Sequence, residues 1–214
     1  MILSLRIVVE RIPLKFSSGN SDVLKLAMLK DDNDFLRFSG KDQFDKKVKI
    51  LYPEINIHDL YCDYYYNFRK AMAILRFCQQ YENCKKGKVV VKFVYKEGID
   101  PLTGKIVGED FKILDGIIRP FKDKFWNKYL PPNYHGDQSC LSYVYNEEIT
   151  SIPRNVEHIK SLFYCDLSEL FFNEIDSGNM IMPNCQKSST SITYKIDVTK
   201  PVISALKEYI KGKI

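Results

Sequence analysis

The stretch from Asn56 to Cys84 constrains this chain more than any other. Ile57, Leu60, Tyr61, Tyr64, Phe68, Ala71, Met72, Leu75 and Cys78 recur at steps of three and four residues. That is the period of an amphipathic helix. Asn56 suits the N-cap, Asp59 suits the positive end of the helix dipole, and neither Pro nor Gly intervenes before Gly87. The stretch carries five tyrosines and three of the six cysteines. Its apolar and aromatic surface exceeds what one buried stripe takes up, which points towards contact with other surfaces as well as with a core.

The rest of the chain is read around that helix. Residues 2–12 predict a first strand, closed by Pro13 and the Ser17–Asn20 turn. Short helices follow from Asn20 or Ser21 and from Ser39 or Gly40 to Leu51, separated by Asp31-Asp32-Asn33-Asp34. That acidic run lacks the Gly and the closing Glu of a calcium loop and reads as a solvated turn. Val89–Tyr95 has the β-branched and aromatic content of a strand, and Ile106–Leu114 is its expected hairpin partner across the Gly98–Gly104 turn.

Residues 117–130 predict a helix with Phe121, Phe125 and Tyr129 on one face and basic residues elsewhere, stopped by Pro131-Pro132. Residues 133–154 are polar and turn-rich, an ordered excursion. Asn155 is placed to cap a second long helix over 156–176, with Val156, Ile159, Leu162, Phe163, Leu167, Leu170, Phe171 and Ile175 inward and Gly178 as its stop. Met180–Cys185 and Ser188–Ser191 form a linker to a strand over 192–198 and a last helix from Thr199. The expected fold is α+β, predominantly helical, with two long amphipathic helices and a small β-hairpin in a single domain. Residues 1–190 would make the core, with the hairpin near 89–114, and residues 191–214 an arm open to exchange between protomers.

At 214 residues, with 45% hydrophobic and 28% charged residues, the chain is long enough for a substantial core and is not disordered in composition. A net charge of +5 spread along the chain gives little support for a nucleic-acid partner. No apolar run approaches the roughly 18–20 residues that cross a bilayer. The first residues lack a basic leader and a cleavage site, so the expected setting is intracellular.

The chemistry-bearing residues are sparse. There are three histidines, and no Gly-x-Ser-x-Gly, His-Glu-x-x-His, Cys-x-x-Cys or dinucleotide-binding glycine pattern. His158 and Cys165 would share one side of the second helix, and His135, Asp137 and Cys140 lie in one loop; either pair admits a thiol nucleophile. Neither has local support, and Glu147-Glu148 reads as a solvated turn. No catalytic, cofactor or metal site is therefore expected, and the chain is not expected to be an enzyme. Cys62, Cys84, Cys140 and Cys185 fall at helix ends or in loops and are candidates for bridges between molecules, whereas Cys78 and Cys165 point inward.

A chain with 14 Tyr, six scattered Cys, no catalytic motif and a docking-like tail over 192–214 resembles the occlusion-body matrix proteins of insect viruses. Its helical pattern and its Lys, Ile, Asn and Tyr content are similar to the nudivirus polyhedrins rather than the β-rich ones. The resemblance implies a protein that crystallises around virions in the infected cell, in the nucleus, and protects them outside it. The partners would be further copies of itself and virions as cargo, without a cofactor, a membrane or nucleic acid. It also implies dissolution in alkali, with Tyr61, Tyr64, Tyr65 and Tyr66 as switch candidates. Two other readings stay open. One is a viral nucleic-acid-binding or regulatory protein using Lys85, Lys86, Lys88 and residues 119–128. The other is a thiol enzyme at Cys140 and His135.

Overall fold

The computed structural model describes residues 3, 5–15, 57–100 and 103–182. In chain order they hold helix α1 (Leu5–Arg11), helix α2 (Ile57–Cys84), strands β1 (Val89–Val94), β2 (Gly98–Ile99), β3 (Ile106–Val107) and β4 (Ile118–Arg119), helix α3 (Phe125–Tyr129), strand β5 (Cys140–Tyr145) and the short helix α4 (Asn173–Asp176). Helices and small antiparallel sheets make this a mixed α and β fold. The first sheet has the order β4-β1-β5, all antiparallel, and β2 pairs with β3 in a separate hairpin.

Helix α2 has the bounds its spacing predicts, and at 28 residues it is about 42 Å long. Ala71, Ile74, Phe77 and Cys78 are its innermost apolar residues, all fully buried. Phe77 sits at the centre of an aromatic cluster, 5.2 Å from Phe121, 5.8 Å from Trp126 and 5.9 Å from Phe172 between ring centroids. Val91 and Phe93 of β1 belong to the same apolar cluster. One polar triangle ties the far end of α2 to this core. The Tyr81 hydroxyl donates to Asp176 Oδ1 at 2.7 Å, Lys122 pairs with Asp176 Oδ2, and the Lys122 ammonium lies 5.5 Å from the Tyr81 ring centroid.

Four sequence expectations are corrected. Residues 5–11 are helix rather than strand; Val8, Val9 and Ile12 are buried at helical spacing, so packing against α2 overrides the β-propensity of Ile and Val. Ile106–Leu114 does not pair with β1. Gly104 at φ 68, with its N–H on Asp100 O, closes a hairpin too tight for more than β2 and β3, and Glu109–Leu114 coils into a 3-10 helix. The partners of β1 are β4 and β5 instead, and β5 lies inside the 133–154 stretch taken for an excursion.

Residues 117–130 are not one helix. Pro120 keeps Arg119 extended in β4, and Asp123 Oδ1 accepts the Phe125 N–H at 2.8 Å to start α3. Phe121, Phe125 and Tyr129 are nevertheless all buried. The second long helix is cut to its C-terminal half: 154–158 is a 3-10 turn entered from Pro153, so Asn155 caps nothing, and only residues 167–176 are helical, as a π turn at Ser168–Phe172 that runs into α4. Between them the Leu162 and Cys165 N–H groups donate to Asn133 O and Asn127 O. Asp166 Oδ1 accepts from Ser168 and Glu169 N–H, the N-cap the sequence reading put eleven residues too early. Gly178, at φ 75, does end α4. The strand over 192–198, the final helix, the 183–191 linker and the short helices before residue 57 lie outside the described residues.

Candidate functional site

Two adjoining features on one side of α2 hold most of the chemistry. The first is a groove of about 520 Å³ between α2 and β5. Phe68, Arg69, Met72, Ala73, Arg76, Gln79 and Gln80 line it from the helix; Cys140, Leu141 and Tyr143 line it from the strand, and Ser139, Pro131 and Pro132 complete the wall. The helix residues repeat at three, four and seven, which puts them on one face, next to the face buried through Ile74 and Phe77. Its lining contains two guanidinium groups and no carboxylate.

The second is a crevice beyond Arg69 and Pro132, about 10 Å³ in volume and lined by Cys62, Tyr65, Tyr66, Tyr134, His135 and Gly136. It has room for no more than about one water. His135 Nε2 lies 3.6 Å from the fully buried Asp63, and its ring centroid is 5.0 Å from that of Tyr66. The loop that carries His135 is pinned from within: Asp137 accepts from the N–H of Asn133 at 2.6 Å and of Ser139 at 2.8 Å. Gly136, at φ 85, brings its backbone against Ile99, and a Cβ there would lie 2.1 Å from Ile99 O. Tyr134 crosses Gly108 so closely that a Cβ on Gly108 would overlap its ring at 1.9 Å.

Beneath both features lies Lys70, which is 1% exposed. Its ammonium donates to Leu130 O and, at 3.1 Å, to Pro132 O, with the Phe163 ring centroid 4.5 Å away. Burial drives its pKa down to about 7, partly opposed by its interactions with Cys165 and Asp137. A neutral amine keeps two N–H groups, enough for the two carbonyls. The neighbouring acids respond in the opposite sense. Burial, then Asp137, holds the Tyr66 hydroxyl well above its ordinary range, and Tyr134 is raised by the same two causes in the same order. Burial raises Tyr143, with Cys84 and Cys78 adding to it and Arg76 opposing. Cys78 is raised by burial and then by Cys165; Cys165 itself is pushed up to about 12, by burial against the counter-effect of Lys70.

The sequence-derived site residues divide as follows. Cys140 is exposed on the groove rim and Cys84 is half-buried, but Cys62 is only 6% exposed, so α2 withdraws it from the bridging set. Cys78 and Cys165 are buried, as their spacing implies. Cys185 lies outside the described residues, as do the side chains of Tyr61 and Tyr64. Tyr65 is 38% exposed beside Arg69, whose guanidinium is 5.6 Å from its ring centroid, whereas Tyr66 is 3% exposed within its own chain and is not a surface switch. His158 and Cys165 share no helix, one sitting exposed in the 154–158 turn and the other buried in the extended segment after it. Cys140 lines the groove and His135 the crevice, so the loop that places them five residues apart does not put them in one cavity.

Sequence reasoning missed Lys70, Arg69 and Arg76 altogether. The only signal was three cations at one-, six- and seven-residue steps on the polar edge of an otherwise aromatic helix. Among the described residues no group of three or more His, Cys, Asp or Glu is placed to hold a metal ion, and no helix is long and apolar enough to cross a membrane. No protein-family model matches the chain, and no curated protein or solved structure is significantly similar to it.

Proposed function

We propose that this chain is a structural protein that assembles with copies of itself into the crystalline matrix of viral occlusion bodies, encloses virions and releases them in alkali. The observation that carries this reading is a set of acids whose ionisation burial opposes: Tyr66, Cys78 and Cys165 are buried, Tyr134 and Tyr143 are half-buried, and all five have raised pKa values. Such a protomer is at ease near neutrality and loses stability steeply once the unfolded chain begins to ionise, above about pH 9–10. The alkaline trigger then lies inside the protomer rather than between tyrosines of neighbouring copies.

Assembly is supported by the apolar side chains left on the surface. Ile99 and Ile106 face each other across the β2–β3 hairpin and are both more than half exposed, and Tyr145, Ile149, Tyr164 and Ile181 stand out elsewhere. Cys140 adds a thiol within reach of another molecule. The nucleic-acid alternative loses much of its charge to internal partners. Arg119 is bonded to Asp123 and Thr150 O, Lys122 to Asp176, and Lys85 to Glu82.

On this proposal the protein acts in the nucleus of an infected cell and then outside it, and performs no catalytic step. The test is electron microscopy of the protein expressed alone in insect cells, followed by particle turbidity against pH. Crystalline particles that are inert near neutrality and dissolve above about pH 10 are expected. A soluble species without particles, or particles that dissolve near pH 7, would overturn it.

A further inference from the structure

The alkali-labile interior leaves the groove between α2 and β5 without a task, and its chemistry is specific. β5 is the outer strand of its sheet. In an antiparallel ladder alternate residues turn their N–H and C=O groups towards the partner strand, so the others in β5 turn theirs away from β1. Among the described residues none of β5 makes a backbone–backbone hydrogen bond beyond that ladder. Unpaired strand edges of this kind accept a further strand.

The walls say what that strand must carry. Phe68, Met72, Leu141 and Tyr143 give the groove an apolar lining, and no carboxylate neutralises its two arginines. Arg76 is exposed and makes no hydrogen bond or ion pair among the described residues. Arg69 uses Nη1 on Asp137 O at 2.7 Å and keeps its remaining N–H groups. Seven residues separate the two on α2, about 10.5 Å along the axis; side chains on one face of an extended chain recur at every second residue, and carboxylates two or four residues apart, about 7 or 14 Å, bracket that span within the reach of two long arginine side chains.

We infer that this groove binds an extended, carboxylate-bearing segment of another protein, which pairs its backbone with the free edge of β5 and sets its acidic side chains on Arg69 and Arg76. A carboxylate held by a guanidinium forms charge-assisted bonds stronger than neutral ones, and the apolar lining takes the residues between. A nucleic-acid strand fits less well, because it has no main chain to pair with β5 and meets only two cations over the whole groove. The inference stands apart from self-assembly, since the occupant's chemistry is fixed by the groove and not by the identity of the partner.

The probe is a fluorescently labelled synthetic peptide of alternating Glu and Val, added to the full-length chain and followed by anisotropy. Binding that weakens with salt is expected, and Arg76→Glu should weaken it roughly tenfold or more. The same peptide with Lys for Glu should not bind. Methylating alternate backbone nitrogens of the peptide should abolish binding in one phase and spare it in the other, since only one phase faces β5. Bound peptide should also shield Cys140 from iodoacetamide.

Trp126 fluorescence in Arg76→Glu checks that the fold is kept. Equal binding of both methylated phases, or of the Arg76→Glu protein, overturns the inference. So does single-stranded oligothymidylate that displaces the peptide at lower concentration. So does the absence of any binding, which would mean that another part of the chain covers the groove. Crystal formation in the Arg76→Glu protein reports separately on self-assembly.

Discussion

Replacing Tyr66 by Phe isolates one group of the alkaline trigger. The Tyr66 ring is 3% exposed and its hydroxyl has no hydrogen-bond partner among the described residues. At pH 7 the substitution removes a desolvated hydroxyl that earns no bond, so stability should stay level or rise by about 1 kcal/mol. In alkali the two proteins diverge. The folded-state pKa of Tyr66 is raised, so its contribution is fully present below the unfolded value of about 10 and is lost as pH climbs above it. The slope is about 1.4 kcal/mol per pH unit, and at pH 11.5 the parent should have lost about 2 kcal/mol through this group alone. Tyr66→Phe escapes that loss.

Urea unfolding followed by the single tryptophan, Trp126, which is 1% exposed, gives both curves from pH 7 to 11.5. The gap between the proteins should be constant up to about pH 9.5 and then widen. A gap that stays constant to pH 11.5, or a Phe variant clearly less stable at pH 7, would refute the reasoning.

Lys70 bounds stability from the other side. Its folded pKa of about 7 lies below the ordinary lysine value, so the unfolded chain binds the extra proton between those values and stability should rise from pH 7 to pH 9, by up to about 2–3 kcal/mol. Lys70→Met should flatten that rise in the same urea series and, by stranding Leu130 O and Pro132 O, lower stability at pH 9 by about 2 kcal/mol or more. Thiol labelling of the folded chain should modify Cys140 first and leave Cys62, Cys78 and Cys165 to react only on unfolding, read by mass spectrometry of peptides; early modification of Cys62 would contradict its burial.

Lysines and the buried acids act differently in alkali. Loss of lysine charge at the surface weakens ion pairs, but deprotonation of Lys70 relieves a buried cation, so the descent at high pH belongs to the thiols and tyrosines.

The sequence by itself determined the elements whose side chains all report one period. Helix α2 has no Pro, no Gly and an apolar face repeated over seven turns, so local geometry alone fixes its bounds, and Val89–Val94 is written by β-branched residues in the same way. It also determined that Cys78, Phe121, Phe125 and Cys165 would be buried, because burial follows from apolar character whatever the element.

Tertiary structure decided the rest, wherever one pattern fits two backbones. Phe163 and Cys165 fit the stripe of a helix and equally the inner face of an extended chain; hydrogen bonds from Leu162 to Asn133 and from Cys165 to Asn127, both far earlier in the chain, chose the second. Val8 and Val9 favour a strand alone, and contact with α2 made them helix. The candidate site is wholly of this kind. Arg69, Arg76 and Cys140 have no motif in common, and they line one groove only because β5 pairs with β1 and the groove forms between that strand and α2. The low pKa of Lys70 likewise comes from desolvation by Phe163 and the Leu130–Pro132 backbone, and burial of that depth exists only once the chain has closed around it.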